Sequence, residues 1–160
     1  MRTADTVKMM GDLDNIVALA ADTERWPTIL PHYRWVTLLE GGGDHKTIEM
    51  AVRRSRIPVK WSSIQMVERD GPTPVIRFTH IRGVTKGMVV AWTFEQEADG
   101  VAVTISHDFE PPWPIFGSVI AERIIGPHFV SAIAGKTLAT IKAIVEDRDG
   151  RFDPEGRERR

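Results

Sequence analysis

Two-residue alternation of apolar and polar side chains recurs through the middle of this chain, between a short helical run and a long amphipathic helix. Such alternation marks half-buried strands, because successive side chains point to opposite faces of a sheet. A chain so patterned is constrained to an antiparallel sheet with one covered face and one wet face. The face that should be apolar nevertheless carries Arg54, Gln65, His80, Arg82 and His107 among Val, Ile, Phe, Trp and Met. A dry core rarely accepts so many unpaired polar groups. A cavity accepts them.

The pattern predicts these elements in order. Thr3 to Met10 reads as a strand, broken by Gly11 and Asp12. Asp12 caps a helix to about Ala21 whose buried stripe is Ile16, Val17, Leu19 and Ala20. Asp22 or Thr23 caps a second short turn, with Pro27 inside it and Pro31 ending it. Strands follow at Tyr33 to Glu40, His45 to Arg54, Lys60 to Glu68, Val75 to Ile81, Val84 to Glu97 and Val101 to Phe109. Gly41 to Asp44, Asp70-Gly71 and Asp99-Gly100 supply turns, and Pro58 a bend. Pro111-Pro112-Trp113-Pro114 cannot hold ladder hydrogen bonds and reads as a linker into a helix at Ile115 to Ile125. Gly126-Pro127 interrupts it, and the main helix runs from His128 to about Glu146. A helix of about twenty residues spans roughly 30 Å, enough to cross a strongly curved sheet. The expected architecture is α+β: one domain over residues 1–147, then a charged, disordered tail at 148–160.

Composition narrows the functions. Net charge is -1 and no basic stripe is obvious, which argues against nucleic acid. Cysteine is absent, so disulfides, thiolate catalysis and Cys-ligated metals are excluded; this fits a reducing cytoplasm. The five histidines are scattered without HExxH spacing, so no metal is expected. No Walker motif, dinucleotide fingerprint or nucleophile elbow occurs, and no cofactor is expected. There is no N-terminal apolar run and nowhere a stretch of eighteen apolar residues, so neither a signal peptide nor stable membrane insertion is expected.

The segment Asp22-Thr23-Glu24-Arg25-Trp26-Pro27, followed by Leu30-Pro31, resembles the opening signature of the helix-grip superfamily. That group includes START-like lipid-transfer domains, the polyketide cyclase/dehydrase family and the coenzyme-Q-binding proteins. The resemblance extends through the strands to the long helix. It implies a curved antiparallel sheet of about seven strands wrapped around the C-terminal helix, with two short helices after the first strand and a pocket for a hydrophobic or aromatic molecule. It is weakly specific for activity, since one cavity serves many ligands. A homodimer or a polyketide synthase partner is the assembly such a protein would enter.

Strand parity supplies the candidate site. If Phe78 faces inward, so do His80 and Arg82; if Val103 and Ile105 do, so does His107. Trp61, Ser63 and Gln65 share one face, and Arg54 follows Val52. Arg54 and Arg82 offer donors to a ligand carbonyl, enolate or carboxylate, or else pair in solvent past the strand ends; a bulge at Gly83 would reverse Arg82. His80 and His107 either move protons near neutral pH or sit buried and neutral. Tyr33 lies near the expected mouth. Arg54, His80, His107 and Tyr33 are therefore the catalytic candidates, and Trp26, Trp61, Gln65, Arg82, Trp92, Trp113 and Phe129 the ligand-binding ones. The expected function is binding or carriage of a lipid, isoprenoid or polyketide-like molecule. An aromatase/cyclase that promotes aldol cyclisation and dehydration is the alternative, although no clearly paired acid and base appears.

Overall fold

The computed structural model of the chain describes residues 1–54, 56–110 and 126–147, without the side chains of residues 54 and 57. The linker and helix expected over 111–125 and the tail at 148–160 lie outside them.

β1 (Arg2–Met9) leads to α1 (Leu13–Ala21), a 3₁₀ turn (Thr23–Arg25) and α2 (Trp26–Ile29). Asp12 caps α1 as its sequence position implies, its carboxylate accepting the Asn15 N–H at 3.1 Å. Six strands follow: β2 (Tyr33–Gly42), β3 (His45–Arg54), β4 (Ile57–Glu68), β5 (Val75–Gly83), β6 (Val89–Glu97) and β7 (Gly100–Asp108). The chain closes with α3 (Pro127–Glu146). All seven strands form one antiparallel sheet in the order β1-β7-β6-β5-β4-β3-β2. The last strand in sequence thus pairs with the first, and the sheet wraps around α3.

Parity holds along β3, along β5 as far as His80, and along β7. Ile48, Met50 and Val52 of β3, Ile76 and Phe78 of β5, and Val101, Val103 and Ile105 of β7 are all buried on the inner face. Val130, Ala134, Leu138, Ile141 and Val145 form the stripe that α3 turns inward. By length and mean hydropathy α3 could cross a bilayer, but this stripe is committed to the core.

Two element boundaries differ from the sequence reading by more than two residues. Pro58 lies inside β4 rather than at a bend. Its register partner is Arg53 of β3, and β5 begins pairing with β4 only at Trp61, so no second neighbour asks for the missing N–H. Residues 84–88 form a loop rather than the start of β6.

A bulge separates Ser62↔Arg82 from Ser63↔His80, leaving Ile81 without a partner. Gly83 then turns the chain at φ +95°; a Cβ there would lie 2.6 Å from the Lys60 carbonyl oxygen and 3.0 Å from Trp61 Cα. Gly83→Ala is expected to cost about 2 kcal/mol from the left-handed conformation and the clash together. Chemical denaturation measures it, and a loss under about 0.5 kcal/mol, the range of ordinary surface changes, would mean that the close approach is relaxed in solution.

Candidate functional site

The inner face of the sheet and the first turns of α3 frame a half-open cavity of about 80 Å³. Trp26, Tyr33, Phe78 and Trp92 build one wall: Trp26 lies 5.0 Å from Tyr33, 6.1 Å from Phe78 and 5.7 Å from Trp92, ring centre to ring centre. Phe129, Ile133 and Ala134 close the opposite side from α3. The sequence-predicted Trp26, Tyr33, Trp61, His80, Trp92, His107 and Phe129 all come together in the lining.

Trp26 reaches this wall because the segment carrying it is fastened to the sheet. Thr23 Oγ1 donates to Gln65 Oε1 at 2.7 Å, and Gln65 Nε2 donates to the Ala21 carbonyl at 2.8 Å. The nearly buried Lys46 pairs with Glu24 beside them. Gln65 is therefore fully buried, with its amide engaged in joining β4 to the α1–α2 connection, and it stands outside the lining. Arg82 also stands outside. The bulge puts it beside Ser62 on the outer face, where it is exposed, so the inward placement that simple parity predicts is corrected. The backbone of Arg54 belongs to β3, but its side chain, like Trp113, lies outside the described residues.

The polar groups in the cavity are few and neutral. His80 Nδ1 is hydrogen-bonded to Thr85 Oγ1 at 2.7 Å, and its ring stacks on Trp61 at 5.3 Å. His107 Nδ1 is hydrogen-bonded to Thr3 Oγ1 at 3.2 Å. Each imidazole thus has its Nδ1 occupied by a threonine, while the other ring nitrogen, Nε2, has no partner among these bonds. Burial lowers His80 to about 3, with nearby His107 adding to the effect, and lowers His107 to about 4. Burial also pushes the Tyr33 phenol up. The Thr137 hydroxyl donates to the Ile133 carbonyl at 2.8 Å, so His32 Nε2 donates to Thr137 Oγ1 at 2.8 Å. The indole N–H of Trp61 is buried without a hydrogen-bond partner among the described residues. No Asp, Glu, Lys or Arg lines the cavity among the described residues, and no group of metal-ligating side chains occurs among them.

Sequence reasoning missed the three threonines. Thr3 meets His107 only through the β1–β7 register, and Thr85 lies in a loop where parity has no meaning. The sequence carried no local signal for either.

Neutral histidines make stability depend on pH. An unfolded histidine titrates near 6.5. Below that value the unfolded chain takes up protons that the buried rings refuse, so unfolding is favoured. The contribution is complete above pH 6.5 and is lost as pH falls toward about 4 for His107 and about 3 for His80. The limiting slope is about 1.4 kcal/mol per pH unit for each ring. Denaturation at pH 7 and pH 5 is expected to show a smaller acid loss in His80→Gln than in the unaltered protein. Equal losses would mean that His80 is not held neutral.

A sequence profile described as polyketide cyclase / dehydrase and lipid transport matches residues 14–124. Among solved structures, the Zhui aromatase/cyclase from a Streptomyces species superposes with a TM-score of 0.80 at 17% identity, over 92% of this chain and 94% of that one. A ginseng (Panax ginseng) major latex-like protein gives 0.74 at 15% identity, over 91% and 97%. A STAR-related lipid transfer protein from Xanthomonas axonopodis gives 0.69 at 17% identity, over 91% and 85%. These likenesses carry the fold across otherwise dissimilar sequences. With a profile match over more than half its length, a seven-stranded sheet closed on a C-terminal helix and an apolar cavity between them, the chain belongs to the polyketide cyclase/dehydrase and lipid transport family.

Proposed function

We propose that the protein binds and carries a neutral, largely apolar small molecule bearing a carbonyl or hydroxyl oxygen. The observation that carries this reading is an aromatic-walled cavity whose described polar groups are all uncharged. A carboxylate brought there would lose its hydration with no cation to compensate, a cost of several kcal/mol. A neutral oxygen would find the Nε2 atoms of His80 and His107 and the indole N–H of Trp61. Lipid, isoprenoid and polyketide-like guests all satisfy this description.

Size adds a condition. Pockets for drug-sized ligands measure about 300–1,000 Å³, and an engineered cavity of about 150 Å³ holds benzene. At about 80 Å³ the cavity must widen to hold a ring. Phe129 and Ile133, at the start of α3, and Trp61 of β4 are the apolar lining groups that are only partly buried, and so the ones with the least packing to lose.

The family relationship also supports a cyclase reading, with Tyr33, His80 and His107 handling protons and Arg54 stabilising an enolate. The protonation states favour carriage. A general base works best with a pKa near the operating pH, whereas these imidazoles are held at about 3 and about 4. A phenol pushed up by burial is likewise a poor acid.

Titration with acetophenone and with benzoate, followed by tryptophan fluorescence, tests the proposal. Saturable binding of acetophenone, at least tenfold tighter than benzoate, is the expected result. Failure to bind acetophenone, or equal binding of benzoate, would overturn it. Mass spectrometry of the purified protein under non-denaturing conditions would then identify any guest retained from the host.

A further inference from the structure

The near-zero net charge hides a strong separation of charge. Lys8, Arg25, Lys46, Arg69, Arg77 and Lys142 are each ion-paired, with Glu97 and Asp99, Asp22, Glu24, Asp44, Glu68 and Glu146 respectively. Besides Lys136 on α3, Arg34, Arg53, Arg56, Lys60, Arg82 and Lys86 are exposed and have no ion pair among the described residues. The topology gathers these six at one end of the sheet. Arg53 and Arg56 flank the β3–β4 turn, Lys60 follows in β4, and Arg82 and Lys86 bracket the β5–β6 loop. The Trp61↔Gly83 pairing sets those two hairpins side by side, and Arg34 enters β2 next to Tyr33, the partner of Val52. The described carboxylates at this end are Asp108, paired with Arg2, Glu110, and Glu49, which faces Ser62 in the row of Arg82 and accepts the Trp35 indole N–H at 3.4 Å.

The cavity lies at the same end. Val59, Trp61, Thr85, Met88 and Phe129, all from these hairpins or the first turn of α3, contribute to its lining. At the tip of the β5–β6 loop, between Arg82 and Lys86, Val84 is 47% exposed. The bases are spread over three segments and are all exposed, so they make no buried cluster of donors that would grip one carboxylate. A broad positive field around an apolar tip fits a fluid, negatively charged plane.

We propose that this end of the sheet docks peripherally on an anionic lipid bilayer. The field of such a surface extends about one Debye length, so exposed loops at the tip sense it without insertion. Docking there sets the cavity against the membrane, and an apolar guest can pass between bilayer and protein with little exposure to water. The surface charge is independent of what the cavity holds.

Sedimentation with vesicles of phosphatidylcholine, alone or mixed with phosphatidylglycerol, tests the proposal. The protein is expected to bind the mixed vesicles at low salt, to leave them at high salt, and to ignore pure phosphatidylcholine. Each base near the surface contributes about fivefold in affinity, so Arg82→Gln with Lys86→Gln is expected to weaken binding about 30-fold. Arg69→Gln at the opposite end is expected to leave it unchanged. Equal binding to neutral vesicles, an unaffected double variant, an equal loss in Arg69→Gln, or association with heparin but not with vesicles would each overturn the proposal. Acetophenone binding by the double variant reads the cavity separately, so failure of docking and failure of the carrier reading are distinguishable.

Discussion

Trp26→Ala is expected to lower the unfolding free energy by about 3–5 kcal/mol, the range for large aromatic truncations in a packed core. That is a large share of the 5–15 kcal/mol by which a domain of this kind is stable. Trp26 is 2% exposed and touches Tyr33, Phe78 and Trp92 from three directions. Its ring therefore joins α2 to β2, β5 and β6 at once, and its N–H donates to the Leu19 carbonyl at 3.4 Å. Truncation would open a void contiguous with the existing cavity, and the surrounding strands, fixed by their ladders, can close only part of it. Urea denaturation with an unchanged m-value measures the effect. A loss below about 1 kcal/mol would mean that α2 is not anchored through this ring.

Ala134→Phe is expected to abolish acetophenone binding, weakening it at least 100-fold while the protein stays folded. Ala134 faces the cavity from α3 and is 2% exposed. A benzyl group projecting from it would occupy much of the roughly 80 Å³ that a guest must enter. A 100-fold loss corresponds to about 2.7 kcal/mol. Overpacking commonly costs 1–3 kcal/mol, but here part of the added volume enters empty space, so the stability change is expected at the low end. Retained binding in the folded variant would place the guest elsewhere. If the variant fails to fold, Ala134→Leu offers a smaller plug with the same logic.

Much of the architecture was legible because its causes are local. Asp12 before an apolar helical stripe, Pro27 in a short turn, and the alternation of Ile48, Met50 and Val52 each report the conformation of a few adjacent residues. The same parity put His80 and His107 on the inner face without knowledge of their neighbours. It failed at Arg82, because one extra residue at Ile81 reverses the sides; Gly83 beside it signalled a possible bulge but not which residue of β4 Arg82 would face. Gln65 faces inward as parity requires, yet its amide is taken by Thr23, 42 positions away.

Periodicity along the chain is enough to set the class of fold and which strand faces are apolar. Tertiary structure alone decided how much room is left beneath α3, that the two histidines in it are neutral, and that six unpaired bases share the end where it lies. Free volume, desolvation and charge proximity depend on distances between residues far apart in sequence. Strand register and helix placement set those distances, and neither is written in any one segment.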